Sequence, residues 1–271
     1  PVKIALASMS KGEADVILTR IGIKLEEQDN DDSVYRGRGG FAVVLAVAVF
    51  SSLAGLLMGL DIGYIAGVKS MATFSRDVLD GKPLTDVDDS MITMVFGVGA
   101  AIACFPPIMS AVVHALGRKG SVIAGGCVFS FGSALQAVAW NVGLMVAGRL
   151  IAGFSVGLLS GNAPVYVSEI APPEMRGALV TGFQFAITVG IMLAFLLALL
   201  LEDVTEPLGG WRWVIASQLL PGLLLVIGGI VMPGSPRYLV SQGRYAEALK
   251  TLISVRSSSE DVRVELAQIC R

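Results

Sequence analysis

Two full charges stand in long apolar stretches of this chain: Asp61 within residues 41–68 and Arg149 within residues 142–167. An ionisable side chain in a membrane-crossing segment is expensive, and its default meaning is functional, with a partner to be named. The two are opposite in sign, so each is the other's natural partner. Burial opposes the charge on a carboxylate, a neighbouring guanidinium favours it, and arginine itself stays protonated. A pair balanced in this way can exchange a proton when the separation of the two groups changes. The plainer alternative is a static buried ion pair, or Arg149 snorkelling alone.

The surrounding composition decides what kind of element must hold them. Of 271 residues, 54% are hydrophobic and only 15% charged, against roughly 45–50% and about 25% in soluble domains. The charges gather at both ends and in short breaks. This predicts an all-α, multi-spanning membrane protein. Six runs are long enough to cross a bilayer: roughly 41–69, 90–115, 120–140, 142–166, 178–201 and 211–232. Gly81-Lys82-Pro83, the basic turn 117–120, Trp140-Asn141, Ala171-Pro172-Pro173-Glu174 and the acidic stretch 202–210 separate them. No basic patch points to nucleic acid. Cys104, Cys127 and Cys270 are too few and too scattered for a disulfide framework or a metal site.

Of the 20 Lys and Arg, 15 fall in the N-terminal segment, the 117–120 turn, the 169–177 loop and the tail after 233. The positive-inside rule places these segments, and both termini, in the cytoplasm. Asp61 is then nine residues from the outer end of the first span and Arg149 eight from that of the fourth. Both therefore lie about 12–14 Å below the outer surface at 1.5 Å per residue. The domain reading is a cytoplasmic segment 1–39, a six-helix bundle 40–232, and the start of a cytoplasmic helical domain at 233–271. In the first part, Glu26 to Asp32 is acidic and expected to be disordered, and no apolar region of a cleavable signal peptide is visible. In the last, Arg244 to Val255 reads as an amphipathic helix, and Ser257 to Glu260 as the cap of another. The start at Pro1 and the stop at Arg271 read as those of a piece of a longer protein.

The run Gly148-Arg149-Leu150-Ile151-Ala152-Gly153-Phe154-Ser155-Val156-Gly157 is followed by Pro164-Val165-Tyr166-Val167-Ser168-Glu169, by Arg176-Gly177, by Phe183-Gln184 and by Pro233-Gly234-Ser235-Pro236-Arg237. With Gly59-Leu60-Asp61-Ile62-Gly63 and Ser70-Met71-Ala72-Thr73-Phe74, this resembles the sugar porter family of the major facilitator superfamily, and within it the plant and algal monosaccharide–proton symporters. The resemblance covers about residues 40–267. It implies one half, an inverted 3+3 repeat, of a twelve-helix fold, with the C-terminal half absent from this chain. It implies Asp61 as the proton-binding acid and Arg149 as its partner. Gln184 matches a sugar-binding amide, and its neutral amide, both donor and acceptor, suits hydroxyls. Ile191, Met58 and Ile62 match apolar contacts to the sugar ring, with core packing as the alternative. Arg118, Glu169, Arg176 and Arg237 match a cytoplasmic latch between the two halves; the alternative is that Arg118, Lys119 and Arg176 are only topogenic charges.

Three positions depart from the family pattern. His114 replaces the acid that would orient Arg118, Gly234 replaces an acid before Ser235, and Leu60 stands where tyrosine is common. The first two predict a weakened latch. The expected function is transport of a hexose across the plasma membrane by alternating access, coupled to protons, with no cofactor beyond the coupling ion. The alternatives are a facilitator, a sugar sensor, or an inactive half-transporter. An enzyme is not expected, since no nucleophile constellation, metal-ligand cluster or phosphate loop stands out.

Overall fold

The computed structural model describes residues 10–20, 41–171, 175–204, 209–256 and 262–270, with the backbone alone for 41–44 and 51. Among them every regular element is a helix: α1 (Lys11–Arg20), α2 (Phe41–Ser70), α3 (Ala72–Val78), α4 (Asp86–Cys104), α5 (Pro106–Ala137), α6 (Val142–Ile170), α7 (Arg176–Leu201), α8 (Gly210–Ser217), α9 (Leu219–Val231), α10 (Pro236–Ser241), α11 (Tyr245–Val255) and α12 (Val262–Cys270). Six stretches are long and apolar enough to cross a membrane: 45–70, 86–104, 106–137, 142–170, 176–201 and 210–231. The chain divides into two compact units. One comprises residues 48–168 and 174–232; the other comprises 1–47, 169–173 and 233–271.

The turn expected at 117–120 between the second and third spans is where the chain reverses, and a further break, not expected, falls inside the second run at Phe105. Helix α4 stops at Cys104, and Phe105 leaves helical geometry at φ −58°, ψ 123°. Pro106 explains this, because a proline pushes the residue before it into extended backbone while suiting the first turn of the next helix. Helix α5 is then broken at Gly117, with φ 74° and ψ 172°, a conformation open to glycine and strained for other residues. The chain doubles back there. A Cβ added at Gly99 would meet Leu150 and Phe154, and one at Gly132 would meet Gly148 and Ala152. Residues on either side of Gly117 thus reach one level of α6, whereas a straight helix would part them by about 50 Å at 1.5 Å per residue.

The bundle is joined along seams of small residues. Gly55, Gly59, Gly63 and Gly67 form a four-residue repeat on α2 facing α7. A Cβ at Gly59 would lie 2.0 Å from the Ile187 carbonyl oxygen, and one at Gly55 would lie 2.4 Å from that of Phe183. Gly153 and Gly157 of α6 face α4, where an added Cβ would lie 2.1 Å from the Phe96 and 2.5 Å from the Ala100 carbonyl oxygen. Such seams let backbones approach where lipid supplies no hydrophobic drive. They also relate the two triplets of spans, since the first packs on the fifth as the fourth packs on the second. At the end of the bundle carrying Ser70, Lys69 pairs with Asp89. There Phe74 of α3 meets Trp211 of α8 edge-on at 5.4 Å.

The other unit is held by a core of Ala14, Leu18, Leu239, Ala248, Leu252, Val262, Leu266 and Ala267. Helix α1 starts with a reciprocal cap: Ser10 N–H donates to Glu13 Oε2 at 2.9 Å, and Glu13 N–H donates to Ser10 Oγ at 3.3 Å. Ser-x-x-Glu is legible at 10–13 as a capping box, and neither α1 nor the six-residue α10 features in the sequence reading. Arg256 is buried, grips Glu265 through two hydrogen bonds at 2.6 and 2.7 Å, and donates to the Ile170 carbonyl at 2.7 Å. Glu26 to Asp32 and the cap at Ser257 to Glu260 lie outside the described residues.

Candidate functional site

Helix α2 presents Asp61 and Tyr64 three residues apart, hence on one face. Helix α6 brings Arg149 to that face from across the bundle. Arg149 Nη1 lies 3.2 Å from Asp61 Oδ2 and donates also to the Asp61 carbonyl at 3.4 Å. Both side chains are sealed, at 0% exposure for Asp61 and 2% for Arg149. The guanidinium has further partners. Its Nε donates to the Ile92 carbonyl of α4 at 3.2 Å, and Nη1 donates to the Tyr64 hydroxyl at 3.1 Å. Its carbon sits 4.6 Å from the Phe96 ring centroid and 5.4 Å from that of Tyr64, within range of cation–π attraction.

The Tyr64 hydroxyl in turn donates to Gln136 Oε1 of α5, and Gln218, between α8 and α9, lies beside that hydroxyl. Gln136 reaches the site because Gly148, next to Arg149, has no side chain: a Cβ there would lie 2.5 Å from Gln136 Cγ. Asp61 Oδ1 and Gln136 Nε2 are buried and have no hydrogen-bond partner among the described residues. The site is therefore a buried carboxylate with one oxygen engaged and one open, beside a cation held by three helices. An arrangement of this kind can accept a proton without expelling the cation.

Tyr64, Phe96, Gln136 and Gln218 are absent from the sequence reading. Two signals would have found three of them. Tyr64 stands one helical turn from Asp61. Gln136 and Gln218 are amides inside otherwise apolar stretches, where polar groups seek partners.

The other expected site residues lie elsewhere. Gln184 is exposed on α7, and the Thr188 hydroxyl donates to its backbone carbonyl at 3.4 Å. Ile191 is half-buried on the same helix, its backbone against Gly63. Met58 is half-buried and Ile62 is 42% exposed on α2. The α2–α7 seam brings these four residues onto adjoining helices. Of the latch residues, Glu169 accepts a hydrogen bond from the Ser235 hydroxyl, and Arg237 is exposed on α10 in the same unit. Arg118 and Arg176 belong to the other unit. There the Arg118 carbonyl accepts from Asn162 Nδ2 at 2.7 Å. Among the described residues no group of three or more His, Cys, Asp or Glu is placed to hold a metal ion.

Six membrane-length helices in two related triplets, with an ion pair sealed between the first and fourth spans, define one half of a major facilitator fold in a multi-pass membrane protein. A family model described as "Sugar (and other) transporter" matches residues 47–271, and the chain belongs to that family. It is 39% identical over 224 residues to the arabinose-proton symporter of Escherichia coli strain K12, covering 82% of this chain and 45% of that protein. It is 33% identical over 238 residues to the galactose-proton symporter of the same strain, covering 88% and 49%. Sugar transport protein 10 of Arabidopsis thaliana is 32% identical over 238 residues, covering 83% and 45%. The solved structure of the proton:xylose symporter XylE bound to 6-bromo-6-deoxy-D-glucose superposes with a TM-score of 0.71 at 25% identity, covering 84% of this chain and 53% of that one. The chain spans about half the length of the curated relatives it matches.

Proposed function

We propose that this chain forms the N-terminal half of a monosaccharide–proton symporter that works by alternating access, with Asp61 as the proton site and Arg149 as its partner. The observation that carries the reading is the sealed Asp61–Arg149 pair with Asp61 Oδ1 open. A carboxylate in this setting binds a proton as the coupling ion, and no cofactor enters. Relatives named as sugar–proton symporters support the substrate class. In this reading Gln184 hydrogen-bonds a hexose hydroxyl, and Ile191, Met58 and Ile62 pack against its ring. Arg118, Glu169, Arg176 and Arg237 act as a latch that opens and re-forms. A second six-helix half completes the sugar site.

In this reading the protein lies in the plasma membrane, and the Lys and Arg distribution supports both ends of the chain on the cytoplasmic side. In that division 1–39 and 233–271 flank the six-helix domain 40–232. The test is uptake into cells lacking hexose transporters, with the chain joined to its complementary half. Asp61→Asn should abolish accumulation against a gradient while sparing sugar exchange. Accumulation at the parent level would sink the assignment, and uptake without alkalinisation of the medium would point to a facilitator.

A further inference from the structure

The proton site contains a hydroxyl that the reading above does not use. Tyr64 is 1% exposed and touches both Arg149 and Gln136. Donor arithmetic fixes the direction of these contacts. A guanidinium only donates, so the Tyr64 oxygen accepts from Arg149 Nη1. Its single proton must then go to another acceptor, and Gln136 Oε1 takes it. The relay runs Arg149 to Tyr64 to Gln136 and bypasses Asp61. Asp61 Oδ2 is engaged by Arg149, which leaves Oδ1 open.

We propose that Tyr64, oriented by Gln136, is a positioning residue: it keeps the Arg149 guanidinium in place when Asp61 takes up a proton on Oδ1. This rests on the proton-coupled reading of the site. In that step an O–H bond forms at Oδ1, the carboxylate loses its charge, and Arg149 keeps both its charge and its bond to Tyr64. Without the tyrosine, neutralising Asp61 would remove the main anchor of a buried cation. The charged and titratable groups of the cluster are Asp61 and Tyr64 from α2 and Arg149 from α6. Helix α4 faces them with the Ile92 carbonyl and the Phe96 ring, and α5 and the α8–α9 junction face them with the neutral Gln136 and Gln218.

The test measures hydrogen exchange at the Arg149 Nε–H by NMR of the 271-residue chain, arginine-labelled, in lipid nanodiscs. Asp61→Asn stands in for the protonated acid. It should leave exchange within about twofold of the parent, the usual margin for sites whose effects are independent. Asp61→Asn combined with Tyr64→Phe should speed exchange about tenfold or more, the size of losing one hydrogen bond to a charged group. Tyr64→Phe alone should have little effect at neutral pH, because the carboxylate still holds Arg149. A tyrosine needed only for packing would act alike with and without Asp61. Equal exchange in Asp61→Asn with and without Tyr64→Phe overturns the proposal, as does fast exchange in Asp61→Asn alone. Gln136→Met in the Asp61→Asn background tests the same relay from its far end. It should accelerate exchange severalfold, and no change would overturn it. None of these outcomes depends on transport, so failure of the symport reading would show separately, in uptake by Asp61→Asn.

Discussion

Gly59 of α2 lies so close to α7 that a methyl group on its Cα would sit 2.0 Å from the Ile187 carbonyl oxygen. That oxygen is backbone inside a helix and cannot turn aside. Gly59→Ala should therefore force the two helices apart and destabilise the bundle by about 1–3 kcal/mol, the usual cost of overpacking. Gly97 of α4 is the control, since nothing lies within 4 Å of a Cβ there. Gly97→Ala should be neutral or stabilising by about 0.5–1 kcal/mol, through lost unfolded-state freedom. Reversible unfolding in mixed micelles measures both.

Breaking the central ion pair from one side should be costly. Arg149→Leu leaves the Asp61 carboxylate buried and uncompensated, and should lose about 3–5 kcal/mol. Adding Asp61→Leu should recover much of that loss, because an apolar pair of similar volume needs no compensation. The same unfolding measurement decides, and an equal or greater loss in the double variant would contradict this account of the site.

At the Ser70 end of the bundle, Asp77 accepts from Arg76 Nε at 2.8 Å, from Trp211 Nε1 at 3.2 Å and from Arg212. Partial burial pushes its carboxyl upward, but the hydrogen bonds from Arg76 and Trp211 and the charge of Arg212 together hold it below the ordinary 3.8. A depressed folded-state value means the contribution to stability is present above 3.8 and is lost as pH falls through the lower folded value. Asp77→Asn should thus cost about 1–3 kcal/mol at neutral pH. The gap should narrow only below 3.8 in a thermal-melt series across pH.

Arg256 should tolerate no substitute. Lysine keeps the charge but cannot make the paired contact with Glu265 while also reaching the Ile170 carbonyl. Arg256→Lys should raise amide hydrogen exchange across α11 and α12 about tenfold or more, from the loss of at least one charged hydrogen bond. The six-helix bundle should exchange as before.

Much of this was legible in the sequence, for physical reasons. Membrane-length apolar runs have few folding options, so the six spans could be read directly. Depth alone placed Asp61 and Arg149 at one level. The break at Phe105 was hidden because apolar content continues through Pro106 and Pro107, and hydropathy does not register backbone geometry. Tyr64 was hidden for a related reason: in an apolar run a tyrosine reads as another large hydrophobe until a buried cation shows that its hydroxyl is in use. Helix α1 escaped because Lys11 to Arg20 has a weak apolar face. Only Ser10 and Glu13 announce it, and Ala14 and Leu18 matter because of what α12 offers them.

The glycine seams have a mechanical consequence. Where two helices touch backbone to backbone, little more than alanine methyl groups lies between them to compress or re-seat, so each pair behaves like a laminated board. Helices α2 and α7 make one board, and α4 and α6 the other. Any flexing of this half must be taken up along the joint between the boards. Asp61 on one and Arg149 on the other are fastened across that joint.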